Sequence, residues 1–285
     1  MPELTKNVVI FTDLDGSLLD HDTYRWDEAR PCLRQLRSHQ VPVVITTSKT
    51  AAEIVPIQQA LALHDMPAIV ENGAHILLPT SWQTGFQTSP PPTPQTYSDI
   101  CRQLQALREQ YGFSFHGFVD MDDAEVAVAT GLTRPQAALA RQRTASEPLL
   151  WQGDAASLDM FKTCLAQHHL SLTEGGRFFH VMHEGTSKGT AVIWLTQYIA
   201  SRTHSLPVTV GLGDGPNDIS LLEATDYAVI IKGHVSEKVT LSLNFRGQSY
   251  RTQAAGPAGW SEGLRYFISR YGLNGLIDKG EVQHE

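Results

Sequence analysis

The feature that most constrains the fold is a short apolar run, residues 8–11, that leads into an acidic turn. The run reads Val-Val-Ile-Phe, and after one threonine it is followed by Asp13, Leu14, Asp15 and Gly16. A run of this length and composition predicts a buried β-strand. Two carboxylates one residue apart at the carboxyl end of such a strand lie where open α/β sheets place their ligands. Acidic turns are also common because water solvates them, so this motif alone leaves both interpretations open.

The composition restricts the class of protein. A chain of 285 residues with 41% hydrophobic and 18% charged residues is typical of a globular protein with a substantial core. The formal net charge of −8 argues against a broad nucleic-acid surface. No apolar run reaches membrane-spanning length and no secretory signal pattern is present, so we expect a cytoplasmic protein with no membrane partner. The three cysteines lie far apart without metal-ligand spacing, which is typical of free thiols in a reducing compartment.

Strand and helix patterns alternate at both ends of the chain and break in the middle. Strands are predicted at 41–45 and 67–70, with helices at 26–39 and 50–63, and this order favours a parallel sheet. The Pro-rich segment 89–94 suits a domain boundary. A block of helices and short strands follows, and the βα alternation resumes at Ser187. We therefore predict an α/β fold: a Rossmann-like parallel-sheet core at 1–84 and 185–285, and an inserted α+β domain at 85–184.

Three predicted strands of the core end in polar turns, at 13–16, 46–49 and 213–218. Because the carboxyl ends of parallel strands meet at one edge of a sheet, these turns should converge there. Lys188, just inside a predicted helix, could reach the same edge. Such a set suits phosphoryl transfer: one carboxylate can attack phosphorus, another can act as acid and base, and a third can hold Mg²⁺.

The ordered set of motifs, DLDG at 13–16, TSK at 47–49, Lys188 and GDGPND at 213–218, resembles the haloacid dehalogenase superfamily of phosphohydrolases. The resemblance implies that fold, with the inserted domain as a cap of subclass IIB. It implies Asp13 as the nucleophile that forms an aspartyl-phosphate and Asp15 as the general acid and base. It also implies that Lys188 stabilises the charge of the phosphate and of the nucleophile.

The same resemblance implies a phosphate site and a Mg²⁺ site. Thr47 and Ser48, with Lys188, would bind the phosphate. The residues implied for Mg²⁺ are Asp13, Asp15 through its backbone carbonyl, Asp214 and, in support, Asp218. Ser17 stands where the family often has threonine, a change that keeps the hydroxyl group.

Further segments, among them TSKT at 47–50, ENGA at 71–74 and GGRFFHV at 175–181, resemble the mannosyl-3-phosphoglycerate phosphatase family. The resemblance implies a small substrate that carries a phosphate, a carboxylate and a sugar. Lys49 and Arg177 are then candidate anion contacts, since a guanidinium group suits a carboxylate. Asn217 is a further candidate for substrate binding, and Arg143, Glu147 and His180 are additional candidates in the cap.

Other interpretations stay open at this point. A phosphatase or phosphomutase acting on another sugar phosphate would use the same residues. A metal-dependent glycosyltransferase would explain the two acids at 13–16 but not GDGPND or Lys188. A catalytically silent binding protein is expected to have lost a motif acid, and none is lost. Lys49, Arg177 and Asp218 are each also explicable as structural charges, and the sequence allows a monomer or a small homo-oligomer.

Overall fold

Two β-sheets organise the chain. In a computed structural model of the protein, residues 8–83, 95–175, 177–233 and 239–270 are described. A seven-stranded sheet forms the core, and a four-stranded sheet forms a second layered unit, the cap. Across the described residues, no helix combines the length and the apolar character needed to cross a membrane. The mixed α/β architecture with a central parallel sheet confirms the predicted fold class.

The core sheet has the strand order β11-β10-β9-β1-β2-β3-β4. All its pairs are parallel except β3 with β4, which form an antiparallel hairpin. Its strands are β1 (Val8–Thr12), β2 (Val43–Thr46), β3 (Ala68–Val70), β4 (His75–Leu77), β9 (Val208–Gly213), β10 (Tyr227–Lys232) and β11 (Gln248–Ala255). Strand β1 lies between β2 and β9 and is buried along its whole length, as its apolar sequence predicts.

Helices cover both faces of the core sheet, and two separate apolar clusters fill the space beneath them. Helix α2 begins with a capping box between Thr50 and Glu53 and continues through Pro56. The core helices are α1 (Arg30–Ser38), α2 (Ala51–Ala60), α3 (Thr80–Gln83), α8 (Lys188–Thr203), α9 (Ile219–Glu223) and α10 (Gly256–Arg270).

The cap sheet is antiparallel throughout, in the order β5-β6-β8-β7. Helices α4 and α7 share an apolar core with this sheet, centred on Phe161, while α5 and α6 pack around Val126. The cap elements are α4 (Tyr97–Tyr111), β5 (Phe115–Gly117), α5 (Asp123–Thr130), α6 (Arg134–Ala140), β6 (Ser146–Trp151), α7 (Ala155–Gln167), β7 (Leu170–Glu174) and β8 (Phe179–His183).

The structure differs from the sequence prediction in several elements. The strands β5 and β11 and the short helix α3 were not predicted, and helix α1 begins at Arg30 rather than at 26. Helix α6 ends at Ala140. Residues beyond α6 leave the helix because Arg143 and Ser146 make side-chain hydrogen bonds in the loop that follows.

The predicted division into 1–84, 85–184 and 185–285 stays a prediction. Its first boundary and the Pro-rich segment 89–94 lie outside the described residues.

Candidate active site

The candidate site forms where the first and ninth strands end side by side. The N–H of Asp13 donates to the carbonyl of Leu212 at 2.8 Å, which fixes the acidic turn against β9. Lys188, the first residue of α8, reaches between two carboxylates: its Nζ lies 2.6 Å from Asp13 Oδ1 and 2.6 Å from Asp218 Oδ1. These three side chains, predicted from separate motifs, are therefore in direct contact.

The turn after β9 positions Asp214 at the edge of this cluster. Asp218 Oδ2 accepts hydrogen bonds from the N–H groups of Asp214 and Gly215, both at 3.0 Å, so Asp218 shapes the turn. The Ser17 hydroxyl donates to Asp214 Oδ1 at 3.0 Å. Gly16 has a φ of +80°, and a Cβ atom there would lie 2.6 Å from Asp214 Oδ2. Glycine is therefore required where the two acidic turns meet.

The site carries excess negative charge. Burial and the neighbouring charge of Asp218 raise the pKa of Asp13 well above its usual value, against the opposing effect of Lys188. The same two causes raise the pKa of Asp214 to about 7. Burial by itself lowers the pKa of Lys188, but the charges of Asp13 and Asp218 outweigh it and raise that pKa. Three carboxylates thus lie close together, and one ammonium group contacts two of them.

A divalent cation would balance this charge. Oxygen atoms of Asp13, Asp214 and Asp218 lie within 4.8 Å of one another, and carboxylate oxygens are the ligands that Mg²⁺ prefers. Both oxygens of Asp218 already accept hydrogen bonds. The Oδ2 atoms of Asp13 and Asp214 accept none from the part of the chain that the structure describes. Asp13 and Asp214 therefore fit direct ligation, and Asp218 fits a supporting position.

Asp15 lies at the opening of the site and pairs with Lys49. The distance from Lys49 Nζ to Asp15 Oδ2 is 2.9 Å, and Glu53 Oε1 lies 4.0 Å from the same Nζ. The other carboxylate oxygen of Asp15, Oδ1, is buried and has no hydrogen-bond partner. An unpartnered carboxylate oxygen is available to exchange a proton with a bound ligand.

The turn after β2 brings a hydroxyl group to the same edge. Thr47 is buried, and its Oγ1 accepts a hydrogen bond from the N–H of Lys49 at 3.2 Å, so its own proton can point to an anion. Ser48 follows it and lines the pocket described next.

A pocket of about 240 Å³ lies between the core and the cap. The core contributes Asp15, Ser48 and Lys49, and the cap contributes Arg143, Arg177 and His180. Arg177 is exposed, and its Nη1 donates to the carbonyl of Thr130 at 2.9 Å, which orients the guanidinium group. Burial, then the charges of Arg143 and Lys188, lower the pKa of His180 to about 3, so its imidazole is neutral. Since His180 carries no charge, the cap side of the pocket is cationic because of Arg143 and Arg177.

Two other candidate residues are not brought into this pocket. Asn217 is half-buried in the turn after β9 and does not line it. Glu147 is fully buried inside the cap, where its carboxylate accepts hydrogen bonds from Tyr97 and from the N–H of Val119. Burial raises the pKa of Glu147 to about 7.

Sequence reasoning missed Glu71, which was part of the resemblance only as the first residue of ENGA. Its carboxylate is fully buried at the carboxyl end of β3 and contacts the cap. Its positive φ of +50° is not visible in the sequence, and its cap partners lie more than 70 residues away along the chain.

The chain belongs to the haloacid dehalogenase-like hydrolase family, because the sequence model of that family matches residues 10–240. Solved structures share its fold. A phosphatase of the haloalkanoate (HAD) superfamily from Bacteroides thetaiotaomicron is 20% identical, with a TM-score of 0.62 over 96% of this chain and 98% of that one. A Thermoplasma acidophilum protein is 14% identical, with a TM-score of 0.63 over 94% and 99%. A HAD subclass IIB sugar phosphatase is 17% identical, with a TM-score of 0.60 over 94% and 100%.

Proposed function

We propose that this protein is a Mg²⁺-dependent phosphatase that works through an aspartyl-phosphate on Asp13. The observation that carries the proposal is the contact of Lys188 Nζ with Asp13 and Asp218, each at 2.6 Å, beside Asp214. Lys188 holds Asp13 in one orientation and supplies positive charge where the transferred phosphoryl group would lie. Membership of a hydrolase family supports this chemistry.

The proposed reaction has two steps, formation of the aspartyl-phosphate and its hydrolysis. In the first, a carboxylate oxygen of Asp13 forms a bond to phosphorus, the bond to the leaving oxygen breaks, and Asp15 gives that oxygen a proton. In the second, Asp15 takes a proton from water, the water oxygen bonds to phosphorus, and Asp13 is released with free phosphate. Bound Mg²⁺, held by Asp13 and Asp214, would supply positive charge at the phosphate oxygens. Thr47 and Ser48 would hold the remaining phosphate oxygens.

The pairing of Asp15 with Lys49 supports the role of Asp15. Lys49 holds Asp15 Oδ2 at 2.9 Å, which leaves Oδ1 without a hydrogen-bond partner on a residue that lines the pocket. An acid that must donate and then accept a proton needs such an oxygen close to both the leaving group and the incoming water.

The proposed substrate is a glycosyl-3-phosphoglycerate, with mannosyl-3-phosphoglycerate as the first compound to test. Such a substrate has a carboxylate besides its phosphate, and the cap side of the pocket presents two guanidinium groups, Arg143 and Arg177. One of the similar structures is named a sugar phosphatase, which supports a sugar-bearing substrate. The segment resemblance to the mannosyl-3-phosphoglycerate phosphatase family supports the particular class.

The test is Mg²⁺-dependent phosphate release from a panel of five compounds: mannosyl-3-phosphoglycerate, glucosyl-3-phosphoglycerate, 3-phosphoglycerate, mannose 6-phosphate and sucrose 6-phosphate. Strong preference for one glycosyl-phosphoglycerate supports the proposed substrate and identifies its sugar. Release mainly from the simple sugar phosphates would support the phosphatase activity but would contradict the proposed glycosyl-3-phosphoglycerate substrate. Isomerised sugar phosphate without free phosphate would show a phosphomutase, and no reaction with any compound overturns the proposed function.

A further inference from the structure

Among the described residues, the carboxylate of Glu71, a residue of the core, makes all its hydrogen bonds to the cap. Glu71 Oε1 accepts hydrogen bonds from the N–H of Thr144 at 2.9 Å and from its hydroxyl at 2.7 Å. Glu71 Oε2 accepts from the N–H of Ala145 at 3.2 Å and from the Ser146 hydroxyl at 2.7 Å, and Arg143 Nε lies 3.5 Å away. All these partners belong to residues 143–146, the end of the connection between α6 and β6 with the first residue of β6, and we refer to this segment as the cap loop.

The backbone of the same residue binds the turn that carries Thr47. The N–H of Glu71 donates to the carbonyl of Lys49 at 2.9 Å, and the N–H of Asn72 donates to the carbonyl of Thr47 at 2.9 Å. We refer to residues 47–49 as the Thr47 loop. Glu71 therefore joins the Thr47 loop through its main chain to the cap loop through its side chain.

Arg143 closes a second connection between the two loops. Its Nη2 donates to the carbonyl of Ser48 at 3.1 Å and to the Ser146 hydroxyl at 2.6 Å. The Arg143 side chain is 3% exposed, so this contact is shielded from water. Burial favours the neutral form of Glu71, but Arg143 and the hydroxyl donors outweigh that effect and keep the pKa of Glu71 below its usual value. The carboxylate is thus ionised in the docked arrangement.

The backbone conformation of Glu71 is consistent with this arrangement. Glu71 and Asn72 have φ values of +50° and +56°, in the left-handed region that residues other than glycine seldom adopt. Such strain persists where surrounding contacts impose it, and it is often found at clamps and switches. In this protein the strained pair aims the carboxylate at the cap loop.

Apart from Glu71 and Arg143, the contact between cap and core is small, so the contacts of Glu71 make up a substantial part of it. The apolar cluster that spans the two units contains only Ala74, Ala145 and Met182 among the described residues. Two further hydrogen bonds join the described parts of the two units: the Thr50 hydroxyl donates to the carbonyl of Leu139 at 2.9 Å, and the Thr144 hydroxyl lies 3.5 Å from Nδ1 of His75. A small and largely polar contact of this kind is typical of units that move relative to each other.

We propose that Glu71 is a positioning residue that latches the cap loop onto the core and couples this docking to the conformation of the Thr47 loop. When the cap is docked, the latch sets Ser48 and Lys49 in place. When the cap moves away from the core, water replaces every one of these partners of the Glu71 carboxylate. The latch rests on contacts alone; its kinetic consequence rests on the proposed phosphatase function.

The first test is hydrogen exchange of the Glu71→Gln variant, which keeps the shape but offers one acceptor oxygen instead of two. The exchange rate of peptides covering 143–146 is expected to rise by roughly tenfold or more, while peptides from the interior of α4 stay protected. Glu262→Gln is the matched control, because Glu262 also accepts several hydrogen bonds, but only within the core, from Tyr250, Gln253 and Ala254. Unchanged exchange at 143–146 in Glu71→Gln would overturn the proposal.

A second variant covers the case in which Glu71→Gln does not fold. Thr144→Val removes one hydroxyl donor and leaves the Glu71 carboxylate in place. A rise in exchange confined to 143–146 supports the latch, and exchange equal to that of the wild type overturns it.

The kinetic test separates positioning from general damage. If only a fraction of the molecules is docked, the apparent KM rises by the inverse of that fraction, while saturating substrate restores docking. Glu71→Gln is therefore expected to raise KM for the best substrate of the panel by roughly tenfold, with kcat nearly unchanged. A loss confined to kcat would contradict the latch. If no compound of the panel reacts, the proposed function fails and the exchange experiment still decides the latch.

Discussion

Lys188 is 1% exposed, and it carries its charge in the interior because Asp13 and Asp218 flank its Nζ atom. A buried ammonium group without such partners would lose its proton or destabilise the fold. The arrangement also restricts Asp13, since one of its oxygens is fixed by Lys188. The function and the stability of these residues are therefore linked, and substitutions must be chosen to separate the two.

Asp13→Asn is expected to abolish phosphate release, by on the order of 10³-fold or more, while the protein stays folded. The amide has the shape of the carboxyl group but cannot attack phosphorus. Its cost to folding is small, because Asp218 still pairs with Lys188 and because burial and the charge of Asp218 already disfavour the charged form of Asp13 by raising its pKa. Phosphate release and thermal unfolding measure the two effects. Asp159→Asn, at a side chain that is 79% exposed, is the control, and full activity of Asp13→Asn would remove Asp13 as nucleophile.

Arg177→Ala is expected to raise KM for a carboxylated substrate by roughly tenfold to a hundredfold, the loss of a hydrogen bond to a charged group. KM for an aryl phosphate without a carboxylate should change little, because Arg177 lines the cap side of the pocket. Steady-state kinetics on the two substrates gives the comparison. Arg102→Ala, on the exposed face of α4, serves as control. Equal increases for both substrates would argue against a carboxylate contact.

The pKa of Asp214, raised from 3.8 to about 7 by burial and by Asp218, predicts how the metal-free protein responds to pH. The folded state holds this proton more tightly than the unfolded chain. The resulting stability is fully present below about pH 4 and is lost as the pH rises through about 7. The contribution of Asp214 to the stability of the metal-free protein should therefore be smaller at pH 8 than at pH 5.

Urea unfolding in EDTA at the two pH values tests this expectation. Asp13 and Glu147 also have raised pKa values and His180 has a lowered one, so the informative quantity is the difference between wild type and Asp214→Asn. The variant should lose less stability over this interval, by on the order of 2 kcal/mol. Added Mg²⁺ should stabilise the wild type more than the variant at pH 8. Identical pH dependence of stability in the two proteins would contradict a raised pKa of Asp214.

At the scale of elements, Gly16→Ala tests the packing of the turn after β1 against the turn after β9. A Cβ atom at residue 16 would lie 2.6 Å from Asp214 Oδ2, and φ there is +80°. Gly112→Ala is a matched control, with a φ of +69° and nothing within 4 Å of its new Cβ. Both variants should lose about 1–2 kcal/mol of unfolding free energy from backbone strain. Only Gly16→Ala should also lose Mg²⁺ affinity in a calorimetric titration; equal Mg²⁺ binding by the two variants would be evidence against this packing.

The core strands could be predicted where burial on both faces leaves a continuous apolar run, as in β1, β2 and β10. Strand β11 gave no such signal, because it lies at the edge of the sheet and Thr252 is its one buried residue. Strand β5 has only three residues, too few to show an alternating pattern. The prediction thus failed where a strand is mostly exposed or very short.

At the scale of the whole molecule, the convergence of the acidic turns followed from the parallel sheet, since motifs at the ends of neighbouring strands must meet at one edge. The contacts between core and cap could not be predicted in the same way. The partners of the Glu71 carboxylate are polar groups that lie 73 to 75 positions further along the chain, where the backbone is mostly irregular. Neither hydrophobic periodicity nor sheet topology determines such contacts, because they depend on how two separately packed units dock.

The two units have distinct apolar cores, and this predicts that damage to one core stays local. Phe161 is fully buried in the cap, with ring centroids 5.1 Å from Phe113 and 5.0 Å from Trp151. Phe161→Ala should cost about 3–5 kcal/mol of the stability of the cap. Hydrogen exchange should rise in peptides from α4, α7 and β8, while β1 and β9 stay protected.

The reciprocal variant is Phe267→Ala, which opens a cavity among the buried residues of the core beside Tyr227. Here exchange should rise in β10 and α10, and the interior of the cap should remain protected. Each variant thus serves as the control for the other, because both remove a buried phenyl ring of the same size. Equal increases throughout the chain in both variants would show a single cooperative unit, and the cap could then not leave the core without global unfolding.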